Sequence, residues 1–261
     1  MSIQYVVSDW NGTLIKYPDE CDLYRNLALD YAKSQLWHKI PVHPTTFLGL
    51  IQTKRRISSL LKQGKKGEGF DDYVERMYAV YNDSVTCKLT VGFVHKSVDA
   101  YARKANKELD PRLLEPLRQI RGEGKRMCIL SAGYEYGIRS ILREGGYGDL
   151  FEPNDIVADL LAQKQGIARA FLLRIYNHKF EYLRDEFIIR RKFKPNLIAY
   201  VGDGKGDEPC FDYLTSEGGH SIVSFFASDD FKQHCAQQYG AFVPQSDEDL
   251  IKYLRDNCQA S

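Results

Sequence analysis

The chain has 261 residues, enough for one α/β domain with an insertion or for two modest domains. Its 36 basic and 35 acidic side chains leave a formal net charge of +1, which gives no whole-surface attraction to nucleic acid or to a membrane. The cysteines (Cys21, Cys87, Cys128, Cys210, Cys235, Cys258) are scattered without a CxxC pair, which argues against a zinc knuckle or a disulfide framework and for a reduced, cytoplasmic setting. Met1-Ser2 lead directly into an apolar run with no signal-peptide pattern, and no apolar stretch approaches membrane-spanning length.

In chain order, Tyr5 to Ser8 reads as a strand that delivers Asp9 to its tip, before Asn11-Gly12-Thr13 turns the backbone. From about Cys21 to Glu108 the apolar residues recur at helical spacing (Leu23, Leu27, Tyr31; Ile51, Ile57, Leu60, Leu61). Breaks fall at Pro41 to Pro44 and at the basic turn Gly64 to Gly69. The pattern then alternates: a helix at Pro116 to Arg121, a strand Arg126 to Leu130 and a helix Glu135 to Leu142, followed by an irregular middle. The remainder predicts a helix Phe180 to Arg191, strands Leu197 to Val201 and Ser221 to Phe226, a helix Phe231 to Tyr239, a short strand Ala241 to Val243 and a helix Asp247 to Leu254. Strands alternating with helices of this size indicate an α/β fold with a helix-covered parallel sheet, which strand one must join across the helical insertion. No internal repeat or low-complexity segment is present.

Ligands of such sheets bind beyond the carboxyl ends of the strands. The strand tips here carry Asp9, then Ser131-Ala132-Gly133, then Gly202-Asp203-Gly204-Lys205-Gly206-Asp207. Like charges about 4 Å apart repel by roughly 4 kcal/mol per pair at an effective dielectric near 20, so three converging carboxylates need a cation. Hard carboxylate oxygens suit Mg²⁺, which commonly bridges to a phosphate.

The segments "DWNGTL", "ILSAG" and "YVGDGKGDE", in that order and each after an apolar strand, resemble the signature segments of the haloacid dehalogenase superfamily of phosphohydrolases. The GDGxxD form, and "IVADLLAQKQG" ahead of a Lys-led helix, resemble its phosphoserine-phosphatase-like branch. The resemblance covers about residues 3 to 15 and 110 to 255. It implies a Rossmann-like three-layer core over 1–15 and 109–261 with an inserted all-helical cap of the C1 type over 16–108. By the same resemblance Asp9 is the nucleophile that forms an aspartyl-phosphate, and a bare carboxylate is chemically competent for that task. Ser131 with the Ala132 and Gly133 amides grips the phosphoryl group at a helix start. Asp203 and Asp207 hold Mg²⁺ together with Asp9 and the Asn11 carbonyl. Lys179, or its rival Lys164, offsets charge at the phosphate, and Lys179 is favoured by its place at the head of the helix before the metal strand.

Asn11 departs from the pattern, because phosphatases of this family carry an Asp there to protonate the leaving oxygen. An amide cannot shuttle that proton, and losing general acid-base help typically costs 10² to 10⁴ in rate, or roughly 3 to 5 kcal/mol of barrier. A slow natural enzyme, an Asp-to-Asn replacement introduced to trap a complex and a non-catalytic binder of phosphorylated ligands all remain open. The presence of Asp9, Ser131, Lys179, Asp203 and Asp207 together favours an enzyme on a small phosphorylated metabolite. A metal-free dehalogenase and a phosphonate-cleaving enzyme are alternatives within the fold. Arg76 is a further candidate for substrate binding. The runs Thr53 to Arg56 and Arg190 to Lys194 read as solvated or helix-terminal cations in preference to anion or RNA sites. "GYEYG" either lines the pocket or packs against the cap.

Overall fold

The computed structural model describes residues 3–16, 23, 27, 30, 89–172, 174, 175 and 178–257. Two compact units are distinguished: Met1–Pro18, Ala102–Asp159 and Leu173–Ser261 form the first, and Asp19–Tyr101 with Leu160–Leu172 form the second. Arg76, the Pro41 to Pro44 and Gly64 to Gly69 breaks and the basic run Thr53 to Arg56 lie outside the described residues.

The elements are β1 (Tyr5–Ser8), α1 (Val91–Ala105), α2 (Pro111–Gly122), β2 (Arg126–Tyr134), α3 (Glu135–Glu144), β3 (Ile156–Lys164), β4 (Ile167–Leu172), α4 (Lys179–Tyr182, continuing π-helically over Leu183–Arg190), β5 (Ile198–Gly202), α5 (Glu208–Ser216), β6 (His220–Val223), α6 (Asp229–Tyr239) and α7 (Asp247–Asp256). The strands take the order β4-β3-β2-β1-β5-β6. All pairings are parallel except that of β3 with β4. This is the doubly covered α/β sheet that the alternating sequence implies.

β1 is central because Val6 and Val7 are apolar on both sides of the pleat and both are buried. Val7 joins Cys128, Leu130 and Tyr200 in a core completed by Leu183 and Phe187 of the π-helical turn and Phe211 of α5. Cys128, Cys210 and Cys235 are buried free thiols. Elsewhere in this unit α2 packs against α7. α2 starts at Pro111, five residues before the expected helix, because Asp110 caps it by accepting the Arg112 amide at 3.0 Å while Pro111 needs no donor partner.

Two differences from the sequence reading matter for the site. β2 runs on past Leu130 to Tyr134, so Ser131-Ala132-Gly133 lie in the strand, while α3 begins at Glu135 as the sequence predicts. The segment expected to be irregular is the antiparallel ribbon β3–β4, closed by Gln165 and Gly166, both at positive φ as a two-residue hairpin turn demands. In the second unit, Thr90 pairs with Ile167 near the tip of that ribbon, and Leu23 and Leu27 are helical and buried. That unit therefore contains a β-ribbon as well as helices. The expected strands at Ser221 and Ala241 shorten, the first to β6 and the second to a bridge between Ile222 and Phe242. No described helix is long and apolar enough to cross a membrane.

Asp159 ends the part of β3 that belongs to the first unit, is 3% exposed, and accepts the amides of Arg174 at 2.8 Å and Ile175 at 3.2 Å. Burial pushes its carboxyl from 3.8 up to about 7. The unfolded chain therefore releases this proton more readily, and Asp159 increasingly disfavours folding as pH rises from about 4 to about 7. Asp159→Asn keeps an oxygen acceptor for both amides. Its stability relative to the parent is expected to rise over that pH interval by on the order of 1 to 4 kcal/mol and to level off above it. Urea unfolding at pH 4.5 and pH 8 checks this, and an increment equal at both would refute it.

Candidate active site

The parallel register of β1 and β5 matches Ser8 with Val201, so the two strands end together and the Asp9 amide donates to the Val201 carbonyl at 2.9 Å. Asp203 follows one residue past the end of β5. Asp9, Asp203 and Asp207 each offer a carboxylate oxygen, all within 4.8 Å of one another. Lys179 heads α4 and places Nζ 2.9 Å from Asp9 Oδ2 and 2.8 Å from Asp207 Oδ1. Lys164, exposed at the end of β3 in the second unit, makes neither contact.

Each acid is held differently. Asp207 is buried and saturated: Tyr200 Oη donates to Oδ1 at 2.8 Å, and the amides of Asp203 and Gly204 donate to Oδ2 at 3.0 and 3.2 Å. Asp203 accepts from Thr13 Oγ1 at 3.1 Å. The Asp9 main-chain carbonyl accepts from Ser8 Oγ at 2.8 Å. Burial and its two acidic neighbours push the Asp203 carboxyl up to about 8. Burial raises Asp9 to about 6 against the opposing pull of Lys179. Lys179 itself is raised despite its burial, because Asp207 and Asp9 favour its charged form. Three acids face one ammonium, and the least compensated of them is Asp203.

Two glycines make the convergence possible. Gly12 has φ +72°, and a Cβ there would run into the Asp203 carboxylate. A Cβ on Gly202 would lie 2.5 Å from Asp207 Cγ. The Gly12 carbonyl is fixed by Ser224 Oγ at 2.8 Å. This compact set of hard oxygens, with glycine in place of side chains on two sides, fits a small divalent cation.

No family model matches the chain, and no curated protein does. Solved structures do match. A protein of unknown function from Bordetella pertussis aligns with a TM-score of 0.64 at 12% identity, over 93% of this chain and 98% of that one. A phosphoserine phosphatase in the form of a phospho-aspartyl intermediate analogue aligns with a TM-score of 0.54 at 16% identity, over 97% and 100%. A HAD family hydrolase from Salmonella enterica gives 0.54 at 15% identity, over 89% and 66%. The chain shares the haloacid dehalogenase-type fold.

On this HAD-type scaffold the structure brings Asp9, Asp203, Asp207 and Lys179 together, and it places Asn11 in the turn directly after Asp9. Ser131, Ala132 and Gly133 are strand residues, which corrects the expectation of helix-start donors. The Ser131 hydroxyl accepts the Gly133 amide at 3.0 Å where the β2–β3 register shifts. Thr13, Tyr200 and Ser224 are partners that the sequence reading missed. The legible signals were the Thr within "NGT" and a Tyr in an otherwise apolar strand, whose buried hydroxyl requires an acceptor.

Gly12→Ala forces a side chain into both a left-handed backbone and the space of Asp203. A loss of about 1 to 3 kcal/mol of stability is expected by thermal unfolding, and unchanged stability would show that the turn has room to rearrange.

Proposed function

We propose that the protein is a Mg²⁺-dependent phosphohydrolase acting on a small phosphorylated metabolite through an aspartyl-phosphate. The observation that carries this reading is the cluster of three carboxylates at one sheet edge with Lys179 on two of them. The shared fold with a phosphoserine phosphatase supports it.

Asp9 Oδ attacks phosphorus, a P–O bond to Asp9 forms, and the ester P–O bond breaks. Lys179 holds the attacking carboxylate in place and offsets charge on the phosphoryl oxygens. Ser131 Oγ and the Ala132 amide are the donors proposed for those oxygens, joined by the Gly133 amide once it releases Ser131 Oγ. Asp9, Asp203 and the Asn11 carbonyl would hold the metal, with Asp207 ligating it or orienting it through water, and the metal would supply charge neutralisation and Lewis-acid polarisation of the phosphoryl group. The Asn11 amide cannot give a proton to the leaving oxygen, so that proton comes from solvent and turnover is slow, favouring esters whose leaving groups are already stable anions. Water then hydrolyses the acyl-phosphate on Asp9. The division into a core and an inserted cap, and a cytoplasmic setting, belong to the same reading.

A second reading rests on the same lysine. Lys179 is already paired with both Asp9 and Asp207, so the ammonium could serve as the sole cation, as a metal-free dehalogenase or a ligand-binding protein would allow.

The two readings separate on a panel of phosphate esters with and without Mg²⁺. Phosphate release that disappears with chelator and with Asp9→Asn, and that rises 10²- to 10⁴-fold in Asn11→Asp, is the expected result. Halide release without metal, or ligand binding without turnover in either form, would replace the phosphohydrolase with its alternatives. Because a cation must displace protons from Asp203, at about 8, and Asp9, at about 6, Mg²⁺ affinity measured by calorimetry should increase as pH is raised from 6 to 8. An affinity that does not change with pH would remove these two acids from the ion's ligands.

A further inference from the structure

A second polar site lies within the first unit, along the start of β3. A cavity of about 530 Å³ opens there, with Ile156 and Ala158 in its wall and Arg126, Arg174, Arg190 and Arg191 around it. The charges around it do not cancel. Asp155, fully buried, is shared by two guanidiniums: Arg126 donates to both of its oxygens at 2.6 and 2.7 Å, and Arg191 donates at 2.8 Å. That triad keeps one positive charge in excess. Arg190 is matched by Glu186 at 2.7 Å, and Glu135, also on the wall, by Arg139 at 2.8 Å.

Arg174 is the remaining cation. Its Nη2 donates to the Ala158 carbonyl at 3.0 Å, its Nε is buried without a hydrogen-bond partner, and among the described residues no carboxylate lies within ion-pair distance of it. Asp159 acts on it from farther away, and burial keeps that carboxyl partly protonated near neutral pH. A guanidinium with a desolvated, unused donor is costly unless an acceptor arrives.

We propose that this cavity binds a small organic or inorganic anion carrying two negative charges, with one anionic group on Arg174 and the other facing the Arg126–Asp155–Arg191 triad. Guanidinium forks suit carboxylate and phosphate oxygens alike, so the shared chemistry is a compact dianion. This assignment does not depend on the phosphohydrolase reading, since none of these residues touches Asp9, Asp203 or Asp207.

Calorimetric titration of the full chain with pyrophosphate in one arm and succinate in the other tests the proposal and separates phosphate from carboxylate ligands. Saturable binding of at least one probe is expected, weakened tenfold or more in Arg174→Gln. It should be retained within twofold in Lys179→Met, which disables the other anion site, and in Arg184→Gln, which removes an exposed arginine outside the cavity. Absence of saturable binding of both probes, equal affinity in Arg174→Gln, loss in Lys179→Met with retention in Arg174→Gln, or an equal loss in Arg184→Gln would each overturn it. A circular dichroism melt of Arg174→Gln matching the parent ties its lost binding to the cavity, whereas a melt showing an unfolded variant transfers the decision to Arg174→Lys, for which the same tenfold loss is expected and full affinity would refute the fork.

Discussion

A lysine ammonium wedged between two buried carboxylates organises one end of this molecule. Asp9 and Asp207 are 5% and 1% exposed, and burying either without a cation would cost several kcal/mol. Lys179 meets both, but it can balance only one full charge of the three acids gathered there. The site is therefore under-neutralised by construction, and the excess falls on Asp203, whose carboxylate accepts a hydrogen bond from the Thr13 hydroxyl. A site in that condition favours a further positive centre or a proton. Its chemistry follows from which of the two is present.

The scaffold makes this crowding possible without help from long flexible side chains. Two adjacent parallel strands, β1 and β5, end at one level, so Asp9 and Asp203, each one residue beyond a tip, meet directly. Asp207 instead ends the short 3-10 turn just before α5, and it is pinned by two main-chain amides and the Tyr200 hydroxyl. Tyr200 also packs in the core against Phe211 with ring centroids 5.8 Å apart. Core packing and site electrostatics are therefore joined through one side chain.

Much of this is legible in the sequence, for physical reasons that can be stated. Apolar runs such as Tyr5 to Ser8 and Ile198 to Val201 are short, β-branched or aromatic and bounded by turns, so they mark strands and locate the acids at their tips. Lys179 is legible because it opens a helix one element before the strand that ends at Asp203. The β3–β4 ribbon is not, since Ile156 to Lys164 lacks clean alternation and its turn signal is a single Gln-Gly pair. The end of β2 is misread because Ser131-Ala132-Gly133 looks like a helix start, while a strand bulge uses the same residues. Arg191 reads as a helix-terminal cation by position, yet it reaches Asp155, some 36 residues earlier in the chain, which only the fold can bring near. Sequence patterns encode local geometry well, and they leave tertiary pairing of long side chains open.

The contacts that complete the candidate site bridge very long loops of chain. Thr13 reaches Asp203 across 190 residues, and Ser224 reaches Gly12 across 212. β1 is synthesised before the other strands of the sheet but lies in its middle, so its neighbours β2 and β5 follow only later. Closing such loops is entropically slow. During translation the apolar Tyr5 to Val7 segment must therefore wait for both of its sheet neighbours. A nascent chain halted before residue 203 would hold Asp9 without the acids that gather around it.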